Sequence, residues 1–471
     1  MNSPKKRGAR RRKASRAGLS VAVLLALGLG TAVARGSEPL EKPRYSPTQR
    51  ITRDRLAAAQ ASVEALARQR RELAVPSGWL DLRCSFHAHA EDASHTGGTR
   101  PEMLADAVKA GMDVVFLSDH FRPPRDFMAS WRFATNGVLF VPGSECRGFL
   151  AHPDGSVMAQ MEAPIPAFVK TVGAGTGMIF LSHLEERVDH DVEGLTGVEI
   201  YNRHYDAKRD MAGLVAMASR VTDPNDLAEL QELVRMYPDG VLCGQIQYPQ
   251  LYLEKWDREG KTHRLAGVGA NDCHHNQVFI LKKVDDDTAR LGTIVDKDED
   301  LRPVSVAVRP GLRRMLEGRK AGEIVARVDL DPYYRAFRCV STHVLAREKT
   351  EPALRAAVRA GHVFVAHEWM GNAKGFRCTL EASGPAGAEP VARMGDAIPF
   401  AAGNRIHVES PLPGRIRLLR DGVTVAEAKG SDLDAPVAAA GVHRVEVWLE
   451  IGGEWRPWIY GNPIYIRDGG K

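Results

Sequence analysis

The sequence predicts an α/β fold followed by an all-β segment, and two observations carry that expectation. From residue 80 to about 270 short apolar runs alternate with helical stretches, and after about residue 375 the pattern changes to period two with paired turn residues. Strands that alternate with helices imply a parallel sheet, open or closed into a barrel. At 471 residues the chain is long enough for two or more domains, and 44% hydrophobic with 26% charged residues is the balance of a soluble globular protein.

Taken in order, residues 1–34 read as a secretory signal peptide. Lys5, Lys6, Arg7, Arg10, Arg11, Arg12, Lys13 and Arg16 precede an apolar run from Leu19 to Leu29, and Ala32-Val33-Ala34 supplies a small-x-small cleavage site. That run is shorter than the roughly 20 residues that span a bilayer, so no stable membrane insertion is expected after cleavage. An uncleaved anchor is the alternative. The expected location is periplasmic or secreted, by a Sec or twin-arginine route, since Arg11-Arg12 is present without the apolar residues that usually follow it. Cleavage takes the formal charge from +5 to about −3, which leaves no basic field to argue for nucleic acid. Export permits disulfides among the six cysteines. Cys84, Cys146 and Cys273 sit beside apolar runs and read as buried free thiols.

Residues 35–76 form a linker and one helix over about 46–73, capped by Ser46 with Pro47 in its first turn. The runs 80–86, 114–118, 138–141, 178–182, 197–201, 241–246 and 265–270 read as buried strands, with a helix over 101–110. The acidic stretch 284–300 reads as a surface excursion, and the domain as a whole spans 77–374. In 375–471 the runs 415–419, 423–426, 442–451 and 455–460, with turns at Asp421-Gly422 and Gly452-Gly453, read as hairpins of a β-sandwich. It holds no cluster of titratable groups and receives no catalytic role.

Metal-competent residues fall at the C-terminal ends of the expected strands. His87 and His89 follow the first, Asp119-His120 the second, Glu145 the third, His183 the fourth, Asn202 and His204 the fifth, and Asp272 and His274 the last. Active sites of α/β barrels are built at that rim. Each piece alone is weak; six strands aiming such side chains at one rim are not. Imidazoles and carboxylates suit zinc, manganese or iron, and paired cations support hydrolysis without a serine or cysteine nucleophile.

These residues resemble a known family. Phe86-His87-Ala88-His89, His95, Leu117-Ser118-Asp119-His120, Pro142-Gly143-Ser144-Glu145, Ser182-His183 and Asn271-Asp272-Cys273-His274 are similar to motifs of the PHP (polymerase and histidinol phosphatase) superfamily. The export signal and the ending from Trp458 to Tyr465 resemble its carbaryl-hydrolase-like branch. The resemblance implies a distorted (β/α)7 barrel with two or three divalent ions (Zn, Mn or Fe). A first metal would sit on His87, His89, Glu145 and Asp272, with Glu145 bridging to a second on His183, and a third on His95, His120 and His274. The last ligand of the second metal falls to His204, with His152 as rival. Glu145, Asp272 and His274 are the catalytic candidates, Arg122 and Asn202 the substrate contacts, and His275 and Asn276 supports for the ligands. The expected reaction is hydrolysis of a small phosphoester by a hydroxide shared between metals. A carbamate, ester or amide hydrolase on the same site is the alternative, and a metal-stabilised binding protein the third.

Overall fold

In the computed structural model of the protein, residues 39–209, 211–382 and 389–469 are described; the expected signal peptide lies outside them. Eight strand segments pair in a circuit that returns to its start. They are β1 (Leu80–Ala88), β2 (Val114–Leu117), β3 (Val138–Val141), β4 (Ser144–Cys146), β5 (Phe149–His152), β6 (Met178–Leu181), β7 (Gly197–Asn202) and β8 (Ala266–Cys273). β1 pairs in parallel with β2, and β2 with β3. A parallel bridge from His120 to Glu145 carries the ladder into β4. β5 runs antiparallel to β4 and β6, after which β6, β7, β8 and β1 follow in parallel. The segments β2 and β6 are buried at every residue, as strands covered on both faces must be. Phe86, Phe116 and Phe180, from three of these strands, meet inside the circuit with ring centroids 4.3 and 5.6 Å from Phe86.

The strand-and-helix alternation predicts uniformly parallel strands, and β5 departs from it. Arg147 (φ 55°) and Gly148 (φ 87°) both take the left-handed conformation, and two such residues in succession close a tight hairpin. Residues 241–246, expected as a strand, instead belong to the helix Pro238–Cys243 and its exit. Pro238 suits a first helical turn, and a short apolar run is buried equally well in either conformation. The expected N-terminal helix is two, Pro47–Arg50 and Arg53–Ala67, broken at Ile51-Thr52. The acidic excursion contains the strand Thr288–Thr293, part of a separate four-stranded sheet with Val278–Lys283, Arg302–Ser305 and Ile324–Asp329.

Beyond that sheet, Ser341–Ala346 pairs antiparallel with the first half of β1, then with Val363–Ala366, which pairs with Glu454–Gly461. Glu454–Gly461 joins Gly441–Ile451, and that strand joins Arg405–Arg420. Hydrogen bonding is therefore continuous from the circuit across residue 375 into the C-terminal strands, which turn back at Asp421-Gly422 and Gly452-Gly453. Among the described residues no helix is long and apolar enough to cross a membrane.

Candidate metal centre

The site grows out of a fault in β1. Leu82, Cys84 and Phe86 pack together in one apolar cluster, whereas Ala88 packs with Met103 and Ala107 of the helix Arg100–Ala110. Strict alternation would keep all four on one face. His87 takes the left-handed conformation (φ 61°), and the ladder to both neighbours shifts register there. His183 and Asp272, both with φ 48°, do the same at the ends of two other strands. Three non-glycine residues held in that sparsely populated region, all around one point, mark a place where geometry is imposed against local preference.

Around that point the ligand atoms converge. His87 Nε2 lies 3.4 Å from both Glu145 Oε2 and Asp272 Oδ1, and His89 Nε2 lies 3.8 and 3.7 Å from the same atoms. His183 Nε2 lies 3.0 Å from Glu145 Oε1 and 3.6 Å from Asp272 Oδ2, and His120 Nε2 is 3.3 Å from Glu145 Oε2. Three groups have ligand atoms close enough to share a cation: His87–His89–Glu145, His87–His183–Asp272 and His89–His120–His274. His204 stands at the edge, its Nδ1 3.4 Å from Asp272 Oδ2. His95 is exposed on the loop after β1, its ring 4.8 Å from that of His120 and 5.0 Å from that of His274.

Nearly every converging ring is held from behind. His87 Nδ1 donates to Glu199 at 2.6 Å, and His89 and His120 donate to Asp92 at 2.9 and 2.7 Å. His183 donates to Glu185 at 3.2 Å, and His274 to the Asp272 carbonyl at 3.1 Å. A carboxylate or carbonyl only accepts, so the proton sits on Nδ1 and the Nε2 lone pair faces the site. The loop bearing His95 is tied down by Asn276, whose amide donates to the His95 carbonyl at 3.0 Å, and by Gly97 and Gly98, whose amides donate to the His274 carbonyl. A Cβ at Gly98 would lie 2.3 Å from the Tyr333 hydroxyl, so this approach requires glycine.

The charges match the geometry. Burial alone would push Glu145 and Asp272 toward the neutral form, but His87 and its neighbours hold both carboxyls below their usual range. Burial drives His89 down to about 3, with His274 adding to the effect, and also lowers His274. For His87 and His183 burial is outweighed by the facing carboxylates, and His183 rises to about 10. The ionised carboxylates and the neutral rings of His89 and His274 are in the forms that bind divalent cations, whereas His87 and His183 carry a proton that a cation would displace. His87 Nε2 and His274 Nε2 are buried without a hydrogen-bond partner, which a cation would supply, so the donor set fits a metal.

Some expected residues stand elsewhere. His152 is buried beside Phe116 with Nδ1 on the Pro142 carbonyl, and is not brought to the carboxylates. Asn202 is fully engaged: its amide donates to Glu199 at 3.1 Å and its oxygen accepts from the His204 amide at 2.7 Å. Both bonds tie Asn202 to residues behind the centre, while Arg122 is exposed near His95. Sequence reasoning missed Glu199, Asp92 and Glu185. An acid inside the buried run Gly197-Val198-Glu199-Ile200-Tyr201 was the available signal for Glu199, and an acid between two loop histidines for Asp92.

No protein-family model matches the sequence, and no curated protein matches it. Among solved structures, the chain is similar to a two-domain protein containing a predicted PHP-like metal-dependent phosphoesterase from Bacteroides vulgatus. The identity is 12% and the TM-score 0.31, with 84% of this chain and 98% of that chain covered, and a likeness at that level assigns no activity.

Proposed function

We propose that this chain is an exported metal-dependent hydrolase of the PHP superfamily, related to its carbaryl-hydrolase-like branch, and that it hydrolyses small phosphoesters. The closed circuit of strands supports reading residues 77–374 as the distorted (β/α)7 barrel of that superfamily, with 375–471 as its C-terminal β domain. The observation that carries the reading is the set of Nε2 atoms from His87, His89, His120 and His183, each ring fixed from behind and aimed at Glu145, Asp272 or both, with His274 grouped beside His89 and His120.

His87, His89, His120, His183, His274, Glu145 and Asp272 would hold two or three Zn, Mn or Fe ions, with His95 and His204 completing the outer positions. Such ions supply Lewis-acid polarisation of a phosphoryl oxygen and activation of water. The chain's own part is to bind and orient. Asp272 takes the proton of the attacking water and passes it to the leaving oxygen, Arg122 meets an anionic oxygen at the rim, and the P–O ester bond breaks, its electron pair staying on the leaving oxygen, as the new P–O bond forms. The test is turnover by metal-replete protein on phosphomonoesters and phosphodiesters. Activity lost on chelation and in Asp272→Asn is expected; no turnover on any phosphoester refutes the assignment.

One observation favours a second reading, an uncharged carbamate, ester or amide. Apart from Arg122 at the rim, cations near the ligands are committed: Lys208 to Glu186 at 2.7 Å, Arg100 to Asp119, and Arg187 to the carbonyls of Ser182 and His183. Faster turnover of aryl carbamates than of aryl phosphates would select it.

A further inference from the structure

Two buried carboxylates stand behind the ligand rings and divide them without overlap. Asp92 Oδ2 accepts from His89 Nδ1 at 2.9 Å, from His120 Nδ1 at 2.7 Å and from the His120 amide at 2.7 Å, while its Oδ1 accepts from the Thr96 hydroxyl at 2.6 Å. Glu199, wholly buried, accepts through Oε1 from His87 Nδ1 at 2.6 Å. Its Oε2 accepts from the His183 amide at 2.8 Å and from Asn202 Nδ2 at 3.1 Å.

The division coincides with the ligand groups. The two rings held by Asp92 belong with His274 to one candidate group, and the two residues held by Glu199 belong with Asp272 to another. The third group takes His89 from the first set and His87 from the second, joined by Glu145. Glu199 also grips both residues, His87 and His183, whose backbones sit at φ 61° and 48°. A buried carboxylate is costly unless its partners need it, and these partners are ligand rings and a strained ligand backbone.

We propose that Asp92 and Glu199 are positioning residues for different cations of the centre, Asp92 for the one held by His120 and His274 and Glu199 for the one held by His183, with His87 and His89 shared between them. This rests on the reading of the centre as metal-binding. Each acid acts through the histidines: it fixes the proton on Nδ1 and so aims the Nε2 lone pair. The substitutions differ in chemistry. Asp92→Asn can keep an oxygen at the Oδ2 position, because the Thr96 hydroxyl can accept from the new amide, whereas Asp92→Ala removes the acceptor. Glu199→Gln has no such escape, since either orientation of its amide puts an N–H against the His87 ring or the His183 amide.

The experiment strips the full-length protein with chelator and titrates it with Zn2+ or Mn2+ alone, reading stoichiometry and affinity by calorimetry and elemental analysis. Circular dichroism and thermal melting check the fold of each variant. Asp92→Ala is expected to lose the same cation as His120→Ala, with no further loss in the double variant. Glu199→Gln is expected to lose the same cation as His183→Ala. Asp92→Asn is expected to restore the stoichiometry with affinity lower by about 10–100-fold at that site alone. Depletion of the same cation by both variants overturns the proposal, as does wild-type binding in both. If Asp92→Ala does not fold, Asp92→Asn decides, and an equal loss of affinity at both sites overturns the proposal. Failure of the wild-type chain to bind any divalent cation would instead remove the reading of the centre itself.

Discussion

At the scale of single residues, Asp272 is the most exposed to test because it faces both sides of the centre. Its Oδ1 lies near His87 and His89 and its Oδ2 near His183 and His204. Asp272→Asn keeps the shape and removes the charge, so bound metal is expected to fall, with turnover reduced by about 100-fold or more. Elemental analysis beside steady-state rates checks this, and full metal content with unchanged kcat would contradict it. Gly197 shows a different constraint at the start of the strand that carries Glu199 and Asn202. A Cβ there would lie 1.9 Å from the Ala266 carbonyl oxygen, so the β7–β8 ladder would have to part. Gly197→Ala is expected to destabilise by about 1–3 kcal/mol in urea unfolding, the usual cost of overpacking.

At the scale of elements, the helix Tyr333–Cys339 connects the centre to the rest of the molecule. Its first residue donates to the His89 carbonyl at 2.5 Å, and its last forms a disulfide with Cys243 at the end of the helix Pro238–Cys243. Arg338 adds an ion pair to Asp239 at 2.7 Å. The bridge spans 96 residues, so the paired change Cys243→Ser and Cys339→Ser is expected to cost about 2–5 kcal/mol, measured by denaturant midpoint. Cys84, Cys146, Cys273 and Cys378 are free and buried, and burial pushes all four thiols up, Cys146 and Cys378 to about 12. None should react with a thiol reagent before unfolding; labelling of the native protein at any of them would show the packing to be wrong.

At the scale of the whole molecule, a buried charge cluster holds β1 to the chain that leads into the C-terminal strands. His343 bonds Asp81 at 2.5 Å through Nδ1 and Glu368 at 2.7 Å through Nε2, and Asp81 also accepts from the Gly375 amide at 2.7 Å. Burial alone would lower His343, but Asp81 and Glu368 outweigh it and raise the ring from 6.5 to about 9. Its contribution to stability is therefore complete below pH 6.5 and lost as pH rises through about 9, a change of up to about 3 kcal/mol. Against burial, Arg83 and His343 draw Glu368 from 4.5 down to about 2, so its share is complete above pH 4.5 and lost as pH falls through 2. Melting temperature should decline on the alkaline side, and His343→Gln should flatten that decline; an unchanged alkaline slope in the variant would assign it to another group. Chelation should also lower the melting temperature, because a ligand at 100 times its Kd stabilises by about 2.7 kcal/mol.

Much of the centre was legible because its ligands are local punctuation: His87, His120, His183 and Asp272 each end an apolar run, and run length and polarity are read directly along the chain. Strand positions were legible for the same reason, with 138–141 matching to the residue. What tertiary structure decided was everything that depends on partners distant in sequence. Whether residues 241–246 form strand or helix and whether β5 runs with or against its neighbours are settled by which groups lie opposite. Glu199 was hidden on the same ground. Nothing in the chain around Glu199 says that a histidine 112 residues earlier will donate to it, because one hydrogen bond leaves no periodicity behind. The sequence by itself determined which side chains are candidates for the chemistry; only the closed circuit of strands brought them together and set Glu199 behind His87 and Asp92 behind His120, since those acceptors come from distant parts of the chain.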